Sequence, residues 1–279
     1  MENYTKVITR SVFDFEDRFL YTPKGTCAVI PFFKYGNALL RKGNPVALLS
    51  LHNAGSMRYR IGEENQNRQD FITNLGLSPE KTVQVQLAHS QVVYSVSQGH
   101  ELDTKQGDGI ITTNKTLIPT VTAADCMPIY FYDGITGCFG IVHSGWKGTG
   151  IVLNFLNIAQ EEFKARSENF SVILGPHIHS CCYTIDEERA EYFTQTFPYN
   201  SVITTTDKNY SLSLAKANIA LLLEAGVLPE NIMHCTDCTC CNSRLSSFRR
   251  ETKGMNLPPE EITQHFTPML AATAYLPNN

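Results

Sequence analysis

The stretch VTAADCMPIYFYDGITGCFGIVHSGWKGTG, residues 121–150, decides the fold of this chain. Two runs rich in β-forming residues flank the turn dipeptide Asp133-Gly134, and this pattern predicts an antiparallel hairpin. Pro128 is the one residue of the first run that is expected to break a strand. The second run ends at His143, just before the glycine-bracketed corner SGWKG, which contains the only tryptophan.

The register of this hairpin brings a thiol and an imidazole together. A turn centred between Gly134 and Ile135 would place Cys126 directly opposite His143. Directly opposed residues on one face of an antiparallel pair have Cβ atoms about 4.5–5.5 Å apart. A thiolate and an imidazole at that distance can bind one metal ion or form a Cys–His nucleophilic pair, so both chemistries stay open.

Composition and length restrict the class of protein. The chain has 279 residues, 42% of them hydrophobic, which suits one large α/β or α+β unit. Its net charge of −4 provides no basic field for nucleic acid or an anionic membrane. No apolar run approaches the roughly 20 residues that span a bilayer. The first six residues lack the apolar segment of a secretory signal, so we expect a cytoplasmic protein.

The pattern along the chain favours an α+β fold with mixed sheets. Short β-rich runs alternate with four helical segments, at residues 67–75, 151–164, 186–197 and 214–225. Pro31 lies in the first β-rich run and indicates an edge or bulged strand. No internal repeat, low-complexity segment or linker interrupts the chain, so we predict one domain over residues 1–279.

Histidines near strand ends are candidate metal ligands. His89 lies between two short predicted strands, and His143 ends another one. Together with Cys126 they form a set of two nitrogens and one sulfur that suits zinc with an open fourth position, as in catalytic sites. A single histidine in such a place is more often structural or solvated. Nine cysteines in a chain without a secretory signal favour thiol or metal chemistry over a disulfide framework.

The cysteine-rich segment CTDCTCC, residues 235–241, follows His234 and is similar to a zinc knuckle. Its two CxxC pairs overlap, whereas a structural zinc site typically needs a second pair further along the chain. The segment could bind metal by itself, or Cys235, Cys238, Cys240 and Cys241 could be buried or redox-inactive thiols. The zinc-deaminase signature and the phosphate-binding P-loop are both absent from the sequence.

Two motifs of the hairpin, ADCMP at residues 124–128 and HSGWKG at residues 143–148, resemble the laccase-domain family. This family is also called multicopper polyphenol oxidase-like or peptidoglycan-editing-factor-like, and is often described as purine nucleoside phosphorylases. The supporting matches come in the family order and cover roughly residues 45–276. They are Asn67-Arg68, residues 86–89, 108–112, 174–176, 181–183, Cys235-Thr236, and residues 247–250 with Lys253-Gly254.

The resemblance implies a single-domain α+β fold in which two mixed sheets lie between helical layers, an α/β/β/α sandwich. It also implies a metal, zinc with copper as the alternative, bound by His89, Cys126 and His143. The implied activities are phosphorolysis of adenosine, inosine and methylthioadenosine, with phosphate as co-substrate, and deamination of adenosine. Some members of the family instead remove a wrong amino acid from cell-wall precursors.

The chain departs from the family pattern at residues that the resemblance implies for substrate binding. Lys147 replaces a common arginine, and a lysine cannot reproduce a bidentate contact. We expect Arg68 to hold the phosphate, with Lys147 and Arg249 as further contacts. Asp125 is a candidate general acid or base, or equally a structural hydrogen-bonding residue.

Three rival functions follow from the same residues. The first is a metal-free hydrolase of cell-wall amides that uses Cys126 as nucleophile and His143 as base. The second is a copper-dependent polyphenol oxidase, which is disfavoured because only one His-x-His pair, His177 and His179, is present. The third is a protein without enzymatic activity that uses the fold as a scaffold in a cell-division or wall-synthesis complex.

Overall fold

The structure is a computed structural model that describes residues 25–34, 38–39, 43–99, 101–206 and 209–277. The first six residues, from which the sequence predicts the absence of a secretory signal, lie outside this part of the chain. In chain order the strands are β1 (Cys27–Pro31), β2 (Phe33–Lys34), β3 (Ala38–Leu39), β4 (Val46–Ser50), β5 (Thr82–Gln84), β6 (Val93–Ser95), β7 (Gly109–Thr112), β8 (Ile118–Ala123), β9 (Met127–Asp133), β10 (Phe139–Ser144), β11 (Phe170–Leu174), β12 (Thr184–Ile185), β13 (Ile203–Thr206), β14 (Asn209–Leu212), β15 (Ile232–His234) and β16 (Met269–Ala274).

The helices are α1 (Gln66–Asn74), α2 (Ile151–Phe163), α3 (Glu187–Thr196), α4 (Leu214–Glu224), α5 (Phe248–Glu251) and α6 (Pro259–Ile262). The first four confirm the segments predicted from periodicity. Asp186 caps α3 as expected, because its side chain accepts a hydrogen bond from the backbone N–H of Arg189. Among the described residues, no helix has the length and apolar character needed to cross a bilayer.

Two mixed sheets form the centre of the fold. The first has the strand order β1-β4-β16-β8-β5, and its strands are antiparallel except for the parallel pair of β5 and β8. The second has the order β15-β11-β9-β10-β7-β6, with parallel pairs at both edges. Pro31 lies on the edge strand β1, the kind of strand in which a residue without a backbone N–H is expected. The predicted α+β class with mixed sheets is therefore confirmed.

The side chains of β9 alternate between two apolar cores. Phe131 points toward α2, where its ring stacks on Phe155 with centroids 4.1 Å apart. Tyr130 points the other way, into the core between the two sheets, and its hydroxyl donates a hydrogen bond of 3.1 Å to the carbonyl of Leu48 in β4. Helix α4 contributes to the same outer core as α2. The strand therefore connects the helical layer with both sheets.

Helix α1 covers the opposite face of the first sheet. Phe71 and Ile72 of this helix are buried against Leu48 of β4 and Leu270 of β16. The order of layers is thus α1, first sheet, second sheet, and then α2 with α4. This is the α/β/β/α sandwich that the resemblance implies.

The predicted register of the central hairpin is wrong by two residues. In the structure His143 pairs with Pro128, so the turn is centred between residues 135 and 136. The Asp133 carboxylate accepts from the backbone N–H of Ile135 at 2.8 Å and from the hydroxyl of Thr136 at 2.7 Å, which builds a longer turn than a two-residue one. An even shift keeps every side chain on its predicted face, so the hairpin still presents its thiol and imidazole together.

The break in the first run lies before the proline and not at it. Pro128 is paired within β9, and its carbonyl accepts a hydrogen bond from Gly175. Asp125 instead takes the left-handed conformation, with φ of 81°, and separates β8 from β9. Cys126 follows directly after this bend, at the point where the chain enters the second sheet.

Candidate active site

The three predicted metal ligands converge at one edge of the second sheet. Cys126 follows the bend before β9, His143 lies near the end of β10, and His89 lies in the loop between β5 and β6. One ligand atom from each residue lies within 4.8 Å of the others. The two imidazole rings meet edge to face with centroids 5.1 Å apart. The structure therefore brings together residues that the sequence places as many as 54 positions apart.

A buried carboxylate that sequence reasoning missed holds both histidines. Asp108 is fully buried, and its carboxylate accepts hydrogen bonds from the backbone N–H groups of Ala88, His89 and Ser90 at 3.3, 3.0 and 2.6 Å. The same carboxylate lies 2.9 Å from Nδ1 of His143. Since a carboxylate only accepts, Nδ1 carries the proton and Nε2 is left as the ligand atom. The signal in the sequence was an acid between two glycines directly before a strand.

Glycines in the corner after β10 allow the backbone to approach the ligands. A Cβ atom on Gly145 would lie 2.8 Å from Sγ of Cys126 and 3.6 Å from Cδ2 of His89. A Cβ atom on Gly148 would lie 2.9 Å from the carbonyl oxygen of Ser90. Side chains at these positions would displace the thiol and the loop that carries His89. The two glycines therefore allow the ligands to lie close to the backbone of this corner.

The thiol and the buried imidazole stabilise each other as an ion pair. Burial alone would raise the pKa of Cys126, but the adjacent His143 and His89 outweigh it and lower that pKa to about 6. Burial would likewise lower the pKa of His143, but the Cys126 thiolate and the hydrogen bond to Asp108 raise it to about 10. At neutral pH the pair is therefore a thiolate beside an imidazolium, which suits either metal binding or nucleophilic attack.

The donor set fits a zinc ion. Zinc bonds to nitrogen and sulfur are about 2.0–2.3 Å long, so three ligand atoms within 4.8 Å of one another can share one ion. The contact between Asp108 and Nδ1 of His143 is the arrangement of carboxylate and histidine that supports zinc ligands in proteins. The exposure of His89 leaves one side of the site open to solvent.

A cavity of about 560 Å³ opens above these ligands. Its walls combine aromatic and cationic side chains, a mixture that suits a flat base and an anionic group. The aromatic residues are Tyr59, Trp146, Tyr183, Phe248 and Phe266. The cationic residues are Arg58, Arg60, Arg189 and Arg249.

Arg189 is a cavity residue with one unused donor, although its Nη2 atom lies 3.6 Å from the carboxylate of Asp186. Its guanidinium lies over the ring of Trp146, 4.3 Å from the centroid. Its Nε atom is buried and has no hydrogen-bond partner among the residues that the structure describes. A buried unpartnered donor at a cavity wall is costly unless a ligand uses it. Sequence reasoning took this residue only as part of α3.

Two of the predicted substrate contacts do not reach the cavity. Arg68 is buried beneath the first sheet, where its guanidinium donates to the carbonyl of Met57 at 2.8 Å and to the side chain of Gln84. Lys147 is exposed, with its ammonium 5.3 Å from the centroid of the Trp146 ring, and it does not line the cavity. The structure thus favours other cations, and the arginines of the loop before α1 were not recognised in the sequence.

The other two predicted residues line the cavity but are held by the protein. Both carboxylate oxygens of Asp125 accept hydrogen bonds of 2.6 Å, one from the hydroxyl of Thr239 and one from the backbone N–H of Arg249. The Arg249 guanidinium donates to the carbonyl and hydroxyl oxygens of Thr184, both at 3.1 Å. For Asp125 this favours the structural alternative over the acid–base one.

Comparison with known proteins gives the family. The model of the family described as multi-copper polyphenol oxidoreductase laccase matches residues 60–257. A mouse protein named purine nucleoside phosphorylase LACC1 is 31% identical over 202 residues, which cover 70% of this chain and 45% of the relative. A Clostridium acetobutylicum protein named purine nucleoside phosphorylase CA_C1699 is 31% identical over 203 residues, covering 71% and 83%.

A solved structure supports the same assignment. The crystal structure of YlmD from Geobacillus stearothermophilus superposes with a TM-score of 0.72 and 26% identity, covering 87% of this chain and 98% of that one. The chain spans about half the length of the mouse, human and Geobacillus curated relatives that it matches. The matched segment contains all three candidate ligands and Asp108. The chain therefore belongs to the multi-copper polyphenol oxidoreductase laccase family.

Proposed function

We propose that the protein is a zinc-dependent purine nucleoside phosphorylase that acts on adenosine, inosine and methylthioadenosine and also deaminates adenosine. The observation that carries this proposal is the convergence of one thiol and two imidazoles at a cavity walled by arginine and aromatic side chains. Two of the relatives described above carry the name purine nucleoside phosphorylase, which supports the choice of substrate class.

His89, Cys126 and His143 would hold the zinc ion, and Asp108 would orient His143 toward it. Zinc at this position would supply Lewis-acid activation of a water molecule or a substrate oxygen. The protein keeps Cys126 ionised through its contact with His143, so that the sulfur is ready to bind a cation. The exposed side of His89 leaves room for substrate beside the ligands.

Phosphorolysis requires the protein to hold an anion against a sugar. An oxygen of phosphate forms a bond to C1′ of the ribose while the bond from C1′ to the purine nitrogen breaks, and the purine leaves with a proton. Arginines suit the phosphate because the guanidinium presents paired donors. We assign this role first to Arg189, whose Nε lacks a partner among the described residues, and next to Arg58 and Arg60.

The aromatic side chains suit the purine. Phe248 and Phe266 meet edge to face with centroids 5.2 Å apart, and Tyr183 lies on the wall formed by the loop after β11. Planar bases stack on such rings and are shielded from water there. A purine placed between these walls would keep its ribose near the ligands and the arginines.

The experiment that tests the proposal is product identification on adenosine with and without phosphate. Phosphorolysis gives adenine and ribose 1-phosphate only when phosphate is present, whereas deamination gives inosine and ammonia in either case. Cys126→Ala should abolish both reactions, and Cys240→Ala, which removes a thiol outside the ligand set, should retain both. Full turnover by Cys126→Ala would contradict the assignment.

A metal-free hydrolase is the second candidate, because the pKa of Cys126 is lowered to about 6 and the thiol is ionised at neutral pH. This reaction would use Cys126 as nucleophile and His143 as base on a cell-wall amide. A chelator separates the two candidates: activity on cell-wall precursors that survives chelation and disappears on alkylation of Cys126 would favour the hydrolase.

Copper chemistry is the third candidate. His177, His179 and His234 form a further group of imidazoles whose ligand atoms lie within 4.8 Å of one another, and imidazole suits copper as well as zinc. Oxygen consumption with phenolic substrates by the copper-loaded protein would favour the oxidase.

Binding of the protein to a wall-synthesis complex, without turnover of nucleosides, would favour the scaffold.

We also propose that the chain forms a single domain in the cytoplasm. Shared apolar cores link both sheets and the helices that cover them, which supports one domain for the described residues. Residues 1–24, which this prediction also includes, lie outside the described part of the chain. The cytoplasmic location remains a prediction.

A further inference from the structure

A second cluster of thiols lies outside the candidate active site. Cys181 and Cys182 lie in the loop after β11, and Cys238 and Cys241 lie in the loop after β15. Their four sulfur atoms lie within 4.8 Å of one another. The sequence interpretation of the segment at residues 235–241 did not include the first pair, because the two loops are about 60 residues apart in the chain.

The spacing of the sulfur atoms matches shared coordination of an ion. Sγ of Cys241 lies 3.8 Å from Sγ of Cys181 and 3.4 Å from Sγ of Cys182, and the last two are 3.8 Å apart. Four sulfurs bound tetrahedrally to zinc at about 2.3 Å lie roughly 3.8 Å from one another. A disulfide would require about 2.05 Å. All four cysteines are free thiols in the structure.

Backbone hydrogen bonds shape the loop around Cys238 and Cys241 without an ion. The N–H groups of Cys241 and Asn242 donate to the carbonyl of Cys238 at 3.1 and 2.9 Å, which closes a tight turn around the CxxC pair. The N–H of His179 donates to Sγ of Cys238 at 3.4 Å, a contact that stabilises negative charge on the sulfur. A β-bridge between His177 and Cys238 joins the two loops. The ligands are thus placed by main-chain contacts before any ion binds.

We propose that Cys181, Cys182, Cys238 and Cys241 bind a second zinc ion in a closed structural site. Four protein thiolates fill a tetrahedral shell and leave no position for water or substrate, so this ion would not take part in catalysis. Each thiol releases its proton to solvent on binding. The inference stands independently of the proposed phosphorylase activity.

Zinc at this position would fasten the wall of the candidate active site. The first loop contributes Ile178 and Tyr183 to the cavity. The second loop carries Thr239, whose hydroxyl donates to Asp125, the residue before the candidate ligand Cys126. A shared ion would reinforce the β-bridge between His177 and Cys238 and fix the distance between the two loops, and thereby the shape of the wall.

Metal analysis of the full chain, purified without chelator, tests the proposal. The double variant Cys181→Ser/Cys241→Ser, which replaces the two exposed thiols of the cluster, should contain about one zinc ion per chain fewer than the unmodified protein. The control Cys240→Ser, which replaces a neighbouring thiol outside the cluster, should lose none. Cys126→Ala should lose a different zinc and keep this one. Unchanged zinc content in Cys181→Ser/Cys241→Ser would contradict this site, whereas unchanged zinc content in Cys126→Ala would contradict the active-site proposal. The two failures are therefore distinguishable.

Cobalt substitution of the unmodified chain provides a test that needs no variant. A tetrathiolate site gives intense sulfur-to-cobalt charge-transfer absorption, and we expect this signature in addition to the weaker one from Cys126. Its absence would overturn the proposal. Three other results would also overturn it. The first is zinc that is retained in Cys181→Ser/Cys241→Ser but lost in His179→Ala, which would place the ion at the group of His177, His179 and His234. The others are iron with labile sulfide in place of zinc, and a disulfide between Cys181 and Cys241 detected by mass spectrometry.

Discussion

Oδ1 of Asp108 lies 2.9 Å from Nδ1 of His143, and both side chains are buried. The same carboxylate binds the backbone of the loop that carries His89. One acidic side chain therefore sets the position of two imidazoles that come from different parts of the chain. The site depends on this residue as well as on its ligands, because a ligand that is free to rotate binds a metal less tightly.

Replacing Asp108 by asparagine should weaken metal binding by about 10–100-fold, the usual cost of losing such a partner of a ligating histidine. The N–H₂ group of the amide can donate a hydrogen bond to Nδ1. It would then favour the tautomer that carries the proton on Nε2, the atom that should bind the metal. Competition with a chelator of known affinity measures the effect. Asp70→Asn, which removes an exposed carboxylate from α1, is the control, and equal affinities for the two variants would contradict the role of Asp108.

Gly145→Ala should damage the site without damaging the fold. Its added Cβ would lie 2.8 Å from Sγ of Cys126, so the thiol must move away from the histidines. A displacement of this kind costs about 100-fold in kcat/KM. Gly134→Ala provides the control, because its Cβ would meet no atom closer than 3.8 Å. Kinetics and thermal unfolding of both variants check the prediction, and wild-type activity in Gly145→Ala would count against it.

Metal affinity should rise with pH, in two regimes. Binding requires a thiolate and a neutral imidazole, and the pKa values are about 6 for Cys126 and about 10 for His143. Between these values the thiol is already ionised and the His143 proton must leave, so the apparent affinity should rise at least about tenfold per pH unit; below the lower value the Cys126 proton must leave as well, and the slope should steepen by about one further decade per pH unit. Zinc affinities measured against a pH-corrected chelator test this, and a flat profile would refute it.

Arg189→Gln should lower kcat/KM for phosphorolysis by about 10–100-fold, the range expected for losing a charged hydrogen bond. Lys147→Gln should change it little, because that ammonium is exposed outside the cavity. The two variants are well matched, since both cations lie over the ring of Trp146. A larger loss in the lysine variant would restore the substrate contact expected from the sequence.

Local patterns predicted most of the elements. Apolar periodicity located α2, and the side chain of Asp186 located the beginning of α3, because each depends on residues within a few positions. The central hairpin was also predicted, although its register was not. The register failed because Asp133 accepts hydrogen bonds from residues of its own turn, a detail of the turn that hydrophobic patterning does not encode.

Periodicity in the sequence by itself determined the four longer helices and the α+β class with mixed sheets, because each element depends on residues that are close together in the chain. The layered arrangement and the three candidate ligands were expected from the resemblance of its motifs to a known family. Only the tertiary structure decided which residues accompany them. Asp108 meets His143 across 35 positions, Thr239 meets Asp125 across 114, and Cys181 meets Cys241 across 60. Such contacts depend on how two sheets pack and where their loops emerge, and no local pattern contains that information.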